Sequence, residues 1–269
     1  MLRHHTARGP AVDLSLLGAA IERGMKGTMA ARRPRSKPSR LPRLLRWARW
    51  LLAGWVIGTA GVVLVLRFVQ PPTTAFILAR RLQASRTSEP GFSIKQTWVP
   101  ISRISPSAQL AFIAGEDQKF ASHWGFDVQA IEDAMEDHLE GKSARGASTL
   151  TQQVAKNLFL WNGRSWVRKG LEAYFTVLIE LFWPKRRILE VHLNVAELGN
   201  GIYGVEAASR TYFAKPASML SSQEAAALAA VLPNPRTRRV NAPSVRVLER
   251  MQWIADQAQR LPPDTLKRL

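Results

Sequence analysis

Gly115-Glu-Asp-Gln-Lys-Phe-Ala-Ser-His-Trp-Gly-Phe-Asp127 is the stretch from which the chain is read. An apolar run, Leu110-Ala-Phe-Ile-Ala114, leads into two adjacent carboxylates, Glu116 and Asp117, and aromatics, His123 and Gly125 follow. The pattern predicts a helix over about Ser107 to Ser122 that delivers acids next to buried apolar surface. Such burial disfavours the charged carboxylate and moves its pKa toward neutrality, as proton transfer requires. Glu116 is therefore the first candidate for a general base. The plainer alternative is a helix end whose acids are merely solvated.

Around this stretch the pattern is almost entirely helical. Further helices are expected over about Ala75 to Ser85, Val128 to Glu140, Thr149 to Leu158, Ser165 to Phe182, Pro184 to Leu193, Gly204 to Phe213, Ser222 to Leu232 and Ser244 to Arg260. Thr149 with Gln152, and Ser221 with Glu224, have capping-box spacing, and Pro184 suits a first helical turn. Gly199-Asn-Gly-Ile-Tyr-Gly204 matches a nucleotide-binding glycine spacing but follows a helix rather than a strand, so it reads as a loop between helices. The expected fold class is mainly α.

The net charge of +18 is unevenly placed. Residues 1–49 hold 12 basic and two acidic side chains, leaving 26 and 18 for the rest. Trp50 to Leu66 carries no charge, and Arg49 and Arg67 bracket it. Extended to Trp47 and Val69, it reaches across a hydrocarbon core of about 30 Å. The expected organisation is a basic tail over 1–46, too polar to fold, a transmembrane helix over 47–69 and a folded domain over 70–269. Basic residues before the span keep the tail inside and put the domain outside. The same span argues against nucleic acid as the target of the basic tail. The chain has no cysteine and five scattered histidines, which excludes a disulfide framework and predicts no zinc site.

A second polar stretch, Gly146-Ala-Ser-Thr-Leu-Thr-Gln-Gln-Val-Ala-Lys-Asn157, takes a small-residue turn into a helix start rich in hydroxyls and amides. It reads either as an anion site or as a well-capped helix. Arg164, Arg168 and Lys169 open the next helix, with Glu172 one turn beyond Arg168. Cations in a first turn oppose the helix dipole unless an anion draws them there. Glu116 and Glu172 thus lie in different environments, which suggests different roles. The aromatic and aliphatic residues of Leu158–Trp161 and Tyr174–Trp183 suit either an ordinary core or contact with the outer face of a bilayer.

These residues resemble the peptidoglycan glycosyltransferases (glycosyltransferase family 51), in particular the monofunctional biosynthetic branch of Gram-negative bacteria. Glu116-Asp-Gln-Lys-Phe-x-x-His-x-Gly125 resembles that family's first motif, and Gly146-x-Ser-Thr-x-Thr-Gln-Gln-x-x-Lys-Asn157 its second. Arg168-Lys-x-x-Glu172 is similar to the third, Arg187-Ile-Leu-Glu-x-x-Leu-Asn194 with Gly204 and Tyr212-Phe213 to the fourth, and Glu224-Ala to Pro235 to the fifth. His192 stands where the family usually has tyrosine. The likeness covers roughly residues 71–243.

The resemblance implies a lysozyme-like helical domain behind one membrane helix, in the bacterial inner membrane, with the catalytic domain periplasmic. It implies polymerisation of lipid II into β-1,4-linked glycan, inverting, with release of undecaprenyl pyrophosphate. No Ser-x-x-Lys is present for transpeptidation. Glu116 and Glu172 would be catalytic, Glu116 as base. Asp117, Ser148, Thr149, Gln153, Lys156, Arg164, Arg168 and Lys169 would bind substrate and pyrophosphate. A divalent cation (Mg or Mn) would accompany the pyrophosphate, with Glu172 a candidate ligand. Implied partners are lipid II, the growing glycan, the membrane and other cell-division or cell-wall synthesis proteins. Two rivals stay open: a lytic, muramidase-like enzyme, which has no pyrophosphate to stabilise, and a non-enzymatic cell-wall scaffold, which has no use for Glu116, Lys169 and Glu172 together.

Overall fold

A computed structural model of the protein describes residues 41–89, 91–141, 148–163 and 165–269. The tail before Leu41, Gly146 and Arg164 lie outside the described residues. Ten α-helices and a three-stranded sheet make up the regular structure among those described.

The first helix, α1 (Leu41–Leu66), begins six residues before the expected start, with Pro42 in its first turn, where a missing N–H costs nothing. It stops at Leu66, short of the expected end. Leu44–Leu66 is long and apolar enough to cross a membrane, about 34 Å at the α-helical rise. One compact unit ends at Ala53 and the other is Gly54–Leu269. Within the second, Trp183 donates its indole N–H to the Val63 carbonyl at 2.7 Å, and Tyr174 shares a 2.7 Å hydrogen bond with Thr59. Tyr174 also stacks on Trp55, and Arg187 donates to the carbonyls of Leu66 and Val69.

After α2 (Ala75–Thr87), capped by Thr74, the chain forms the edge strand β1 (Lys95–Gln96). Next comes α3 (Pro106–Glu116), with Ser105 as N-cap and Pro106 in the first turn. This helix ends six residues before the expected limit, because Asp117 leaves the helical conformation and spends its carboxylate elsewhere. The following turns close at Gly125, whose φ of +79° only glycine adopts cheaply and where a Cβ would stand 2.8 Å from Thr176.

Five helices follow: α4 (Val128–Leu139), α5 (Leu150–Phe159), α6 (Trp166–Phe182), α7 (Lys185–Val195) and, after a hairpin, α8 (Val205–Phe213). The glycine stretch 199–204, read as a loop between helices, does connect two helices and takes the form of that hairpin. Its arms β2 (Glu197–Gly199) and β3 (Ile202–Tyr203) pair antiparallel across a bulge, and β3 pairs parallel with β1, Lys95 opposite Ile202 and Gln96 opposite Tyr203.

Helices α9 (Ser222–Val231) and α10 (Val245–Arg260) complete the domain. Every residue from Ala225 to Val231 is buried, so α9 is apolar all round and runs through the interior, packed on α3 and α10. Its alanines let α3 and α10 approach closely, and Ile254 of α10 meets Gly115. A second layer sets α5 against α6 and α7. The junction of the two layers falls where α3 ends and α5 begins.

Candidate active site

Glu116 is the last residue of α3, and its side chain remains 12% exposed. Each carboxylate oxygen has a separate partner. Oε2 accepts from Gln153 Nε2 at 2.9 Å, and Oε1 accepts from an Arg250 guanidinium nitrogen at 3.2 Å. Burial holds the Glu116 pKa above the ordinary carboxylate value, and the hydrogen bond from Gln153 and the charges of Arg250 and Lys156 only partly offset it.

Asp117 turns the other way. Both oxygens meet His123 Nε2, at 2.8 and 3.0 Å, and Oδ2 accepts the Leu150 N–H at 3.0 Å. A buried carboxylate thus sits on the first turn of α5, where the helix dipole favours it. With its side chain covered, Asp117 ties the end of α3 to the start of α5. His123 is likewise a structural partner.

The second polar stretch divides in the same way. Thr149 caps α5 in a complete capping box with Gln152, and gives its single hydroxyl proton to the Gly125 carbonyl at 2.7 Å. Ser148, one residue earlier, is exposed. Gln153 and Lys156, further along α5, face the Glu116 side. Lys156 has no carboxylate within ion-pair distance among the described residues and lies over the Phe76 ring at 5.6 Å. Burial lowers its pKa, opposed by Glu172 and reinforced by Arg168 and Lys169.

Glu172 is buried in α6, 4% exposed, with Arg168 on one oxygen at 2.6 Å and Lys169 on the other at 2.5 Å. Lys169 remains 45% exposed, and Arg168 keeps a buried Nε without a partner. Three cations, Lys156, Arg168 and Lys169, therefore converge around one carboxylate, and the excess positive charge faces the Glu116 side through Lys156. Arg164 falls outside the described residues. No group of three or more His, Asp and Glu that could hold a metal occurs among the described residues. Both Glu172 oxygens are engaged by cations, so the donor set present does not by itself make a protein-held metal site.

Arg250 is the residue sequence reasoning missed. It lies on α10, beyond the last motif, where an arginine on a polar helix face reads as solvated; nothing local marks it. Its guanidinium also donates to the Gly115 carbonyl at 3.0 Å, fixing the end of α3. Behind α5, Glu180 accepts from Thr151 at 2.5 Å and pairs with Lys185 at 2.8 Å. His192 is wholly buried edge-on to Phe112, and burial pushes its pKa down to about 3, so it is a neutral packing residue. Of the apolar residues around α6, Leu158, Leu160, Phe175, Ile179 and Trp183 are core; Trp161, Trp166, Val167 and Leu181 are exposed, Trp166 at 93%.

A family model described as Transglycosylase matches residues 83–259. The chain is similar to the biosynthetic peptidoglycan transglycosylase of Pseudomonas entomophila (strain L48), 53% identical over 223 residues, which are 83% of this chain and 92% of that protein. The protein of the same name from Xanthomonas campestris pv. campestris (strain B100) is 51% identical over 226 residues, 83% of this chain and 91% of that one.

Proposed function

The chain belongs to the transglycosylase family and is a peptidoglycan glycosyltransferase, and from that premise we propose that it polymerises lipid II by an inverting displacement with Glu116 as general base. The observation that carries the assignment is a carboxylate with a raised pKa at the end of a buried helix, beside a cationic cluster it does not belong to.

The acceptor 4-hydroxyl is a weak nucleophile. Glu116 takes its proton as the oxygen bonds to the anomeric carbon of the donor, and the bond from that carbon to the pyrophosphate oxygen breaks with its electron pair. The hydroxyl oxygen becomes the β-1,4 bridge, and undecaprenyl pyrophosphate departs. Negative charge grows on the leaving group, which Lys156, Arg168 and Lys169 are placed to meet without reorganising. Glu172 holds Arg168 and Lys169 in that geometry. Gln153 orients Glu116. A divalent cation, Mg or Mn, would arrive on the pyrophosphate rather than on a protein carboxylate.

A helix α1 long and apolar enough to cross a membrane supports setting this chemistry beside a lipid-linked substrate. The basic tail is assigned to the cytoplasm and the domain to the periplasm. Exposed Trp161, Trp166 and Val167 suit contact with the lipid surface.

Detergent-solubilised protein incubated with labelled lipid II should yield polymer that muramidase digests, and Glu116→Gln should abolish it while remaining folded. Shortening of preformed glycan without polymer synthesis would instead establish the lytic reading.

A further inference from the structure

Glu116 has cations on both sides, and only one set is explained by a departing pyrophosphate. On the Arg250 side, a cleft of about 360 Å³ between the end of α9 and the start of α10 is lined by Arg238, Arg239, Arg246, Thr237 and Ser244, with no acidic residue in its wall. None of the three arginines has a carboxylate within ion-pair distance among the described residues. Arg236, in the same loop, is by contrast paired with Glu197.

Arg238 is half-buried and gives one N–H to the Ala230 carbonyl at 3.0 Å. Burial lowers its pKa, as do Arg250 and Arg246, and Glu116 is the one acid that opposes them. Arg246 stands in the first turn of α10, a turn without acidic residues, and its N-cap Ser244 makes no capping hydrogen bond. Arg246 and Arg250 are one turn apart, and like charges at that spacing destabilise a helix. Arg250 is answered by Glu116, whereas Arg238, Arg239 and Arg246 have no such carboxylate among the described residues.

We propose that the Arg238–Arg239–Arg246 cleft binds an oxyanion carried by the acceptor substrate, holding the acceptor while its hydroxyl meets Glu116. This deepens the function proposed above and rests on it. The donor pyrophosphate is assigned to the Lys156, Arg168 and Lys169 side, which reaches Glu116 through Gln153 and Oε2. On the opposite side, Arg238 in the cleft wall lies within electrostatic reach of both Arg250 and Glu116. The acceptor offers two oxyanions, the carboxylates of its peptide and its own pyrophosphate.

The test uses the full-length protein and the Arg239→Gln/Arg246→Gln double variant, both changes at exposed positions. Polymerisation is measured against the concentration of lipid II with free peptide carboxylates and with those carboxylates amidated. Isothermal titration of each preparation with the soluble pentapeptide and with inorganic pyrophosphate supplies a readout independent of turnover. The expected result is a KM raised roughly tenfold at a kcat within about twofold of wild type, with an unchanged or higher Tm. If amidated substrate removes the difference between the proteins, the oxyanion is the peptide carboxylate; if the difference persists, it is the pyrophosphate. Equal KM for both substrates together with equal titrations in the two proteins would overturn the proposal. A wild-type protein that makes no polymer overturns the functional reading instead, and the titrations then judge the cleft alone.

Discussion

At the scale of single residues, the site separates two acids that are neighbours in sequence. Glu116 and Asp117 differ by one position, yet the helix ends between them and sends one carboxylate to Gln153 and Arg250 and the other to His123 and Leu150. The partners set the chemistry. A base must be ionised to act, so kcat/KM should fall with decreasing pH through a limb that lies above the ordinary carboxylate pKa of 4.5. Arg250→Gln removes a cation that stabilises the ionised form, and the limb should move to higher pH in a pH–rate profile; an unmoved limb would detach Arg250 from the base. The same raised pKa has a stability consequence. What protonated Glu116 contributes to folding is present below the unfolded pKa and lost as pH rises through the folded one. Glu116→Gln, neutral throughout, should therefore match or exceed the wild-type Tm at pH 7.

Between residues and domain stand the helix ends, where most of the candidate site was legible and most of the misreading occurred. Helix starts carry local signatures. Thr149 with Gln152 and Ser221 with Glu224 form the capping boxes that their spacing predicts. Helix ends depend on distant partners. α3 stops at Glu116 because Asp117 bonds a residue 33 positions later, and no local pattern announces it. The short strands escaped for the same reason, since β1 and β3 are two residues each and exist only by pairing across the chain. Arg250 has no sequence signal because its partner, Glu116, is 134 positions away. Thr149 is a motif residue whose hydroxyl also seals the start of α5 onto Gly125, 24 positions earlier. Thr149→Ala should cost about 1–2 kcal/mol in a denaturant titration, and Thr149→Ser should restore most of it. Recovery of stability in the serine variant without recovery of activity would point to an additional contact with substrate.

Across the whole molecule, α1 is more than a tether. From Gly54 onward it is packed into the folded unit: Val63 is fully buried, its carbonyl accepts from Trp183, Thr59 meets Tyr174, and Arg187 closes over Leu66 and Val69. A membrane helix that only anchored would leave these partners to lipid or water. Removing residues 1–69 should still give a folded domain, because the layer of α3, α9 and α10 is formed entirely by later residues. That domain would lose four hydrogen-bonded attachments, the fourth being Arg67 donating to the Phe182 carbonyl at 2.8 Å, worth about 1 kcal/mol each, besides exposing the apolar surface of α6. At roughly 2–4 °C per kcal/mol for a domain of this size, Tm should fall by about 8–16 °C. Detergent should recover part of the loss by covering Tyr174, Phe182 and Trp183, but it cannot replace the Val63 carbonyl. Scanning calorimetry of the two proteins, each with and without detergent, separates the contributions. Identical melting temperatures would reduce α1 to an anchor, whereas a deficit that persists in detergent would make the span part of the scaffold that holds α6, and with it Arg168, Lys169 and Glu172, in register with Glu116.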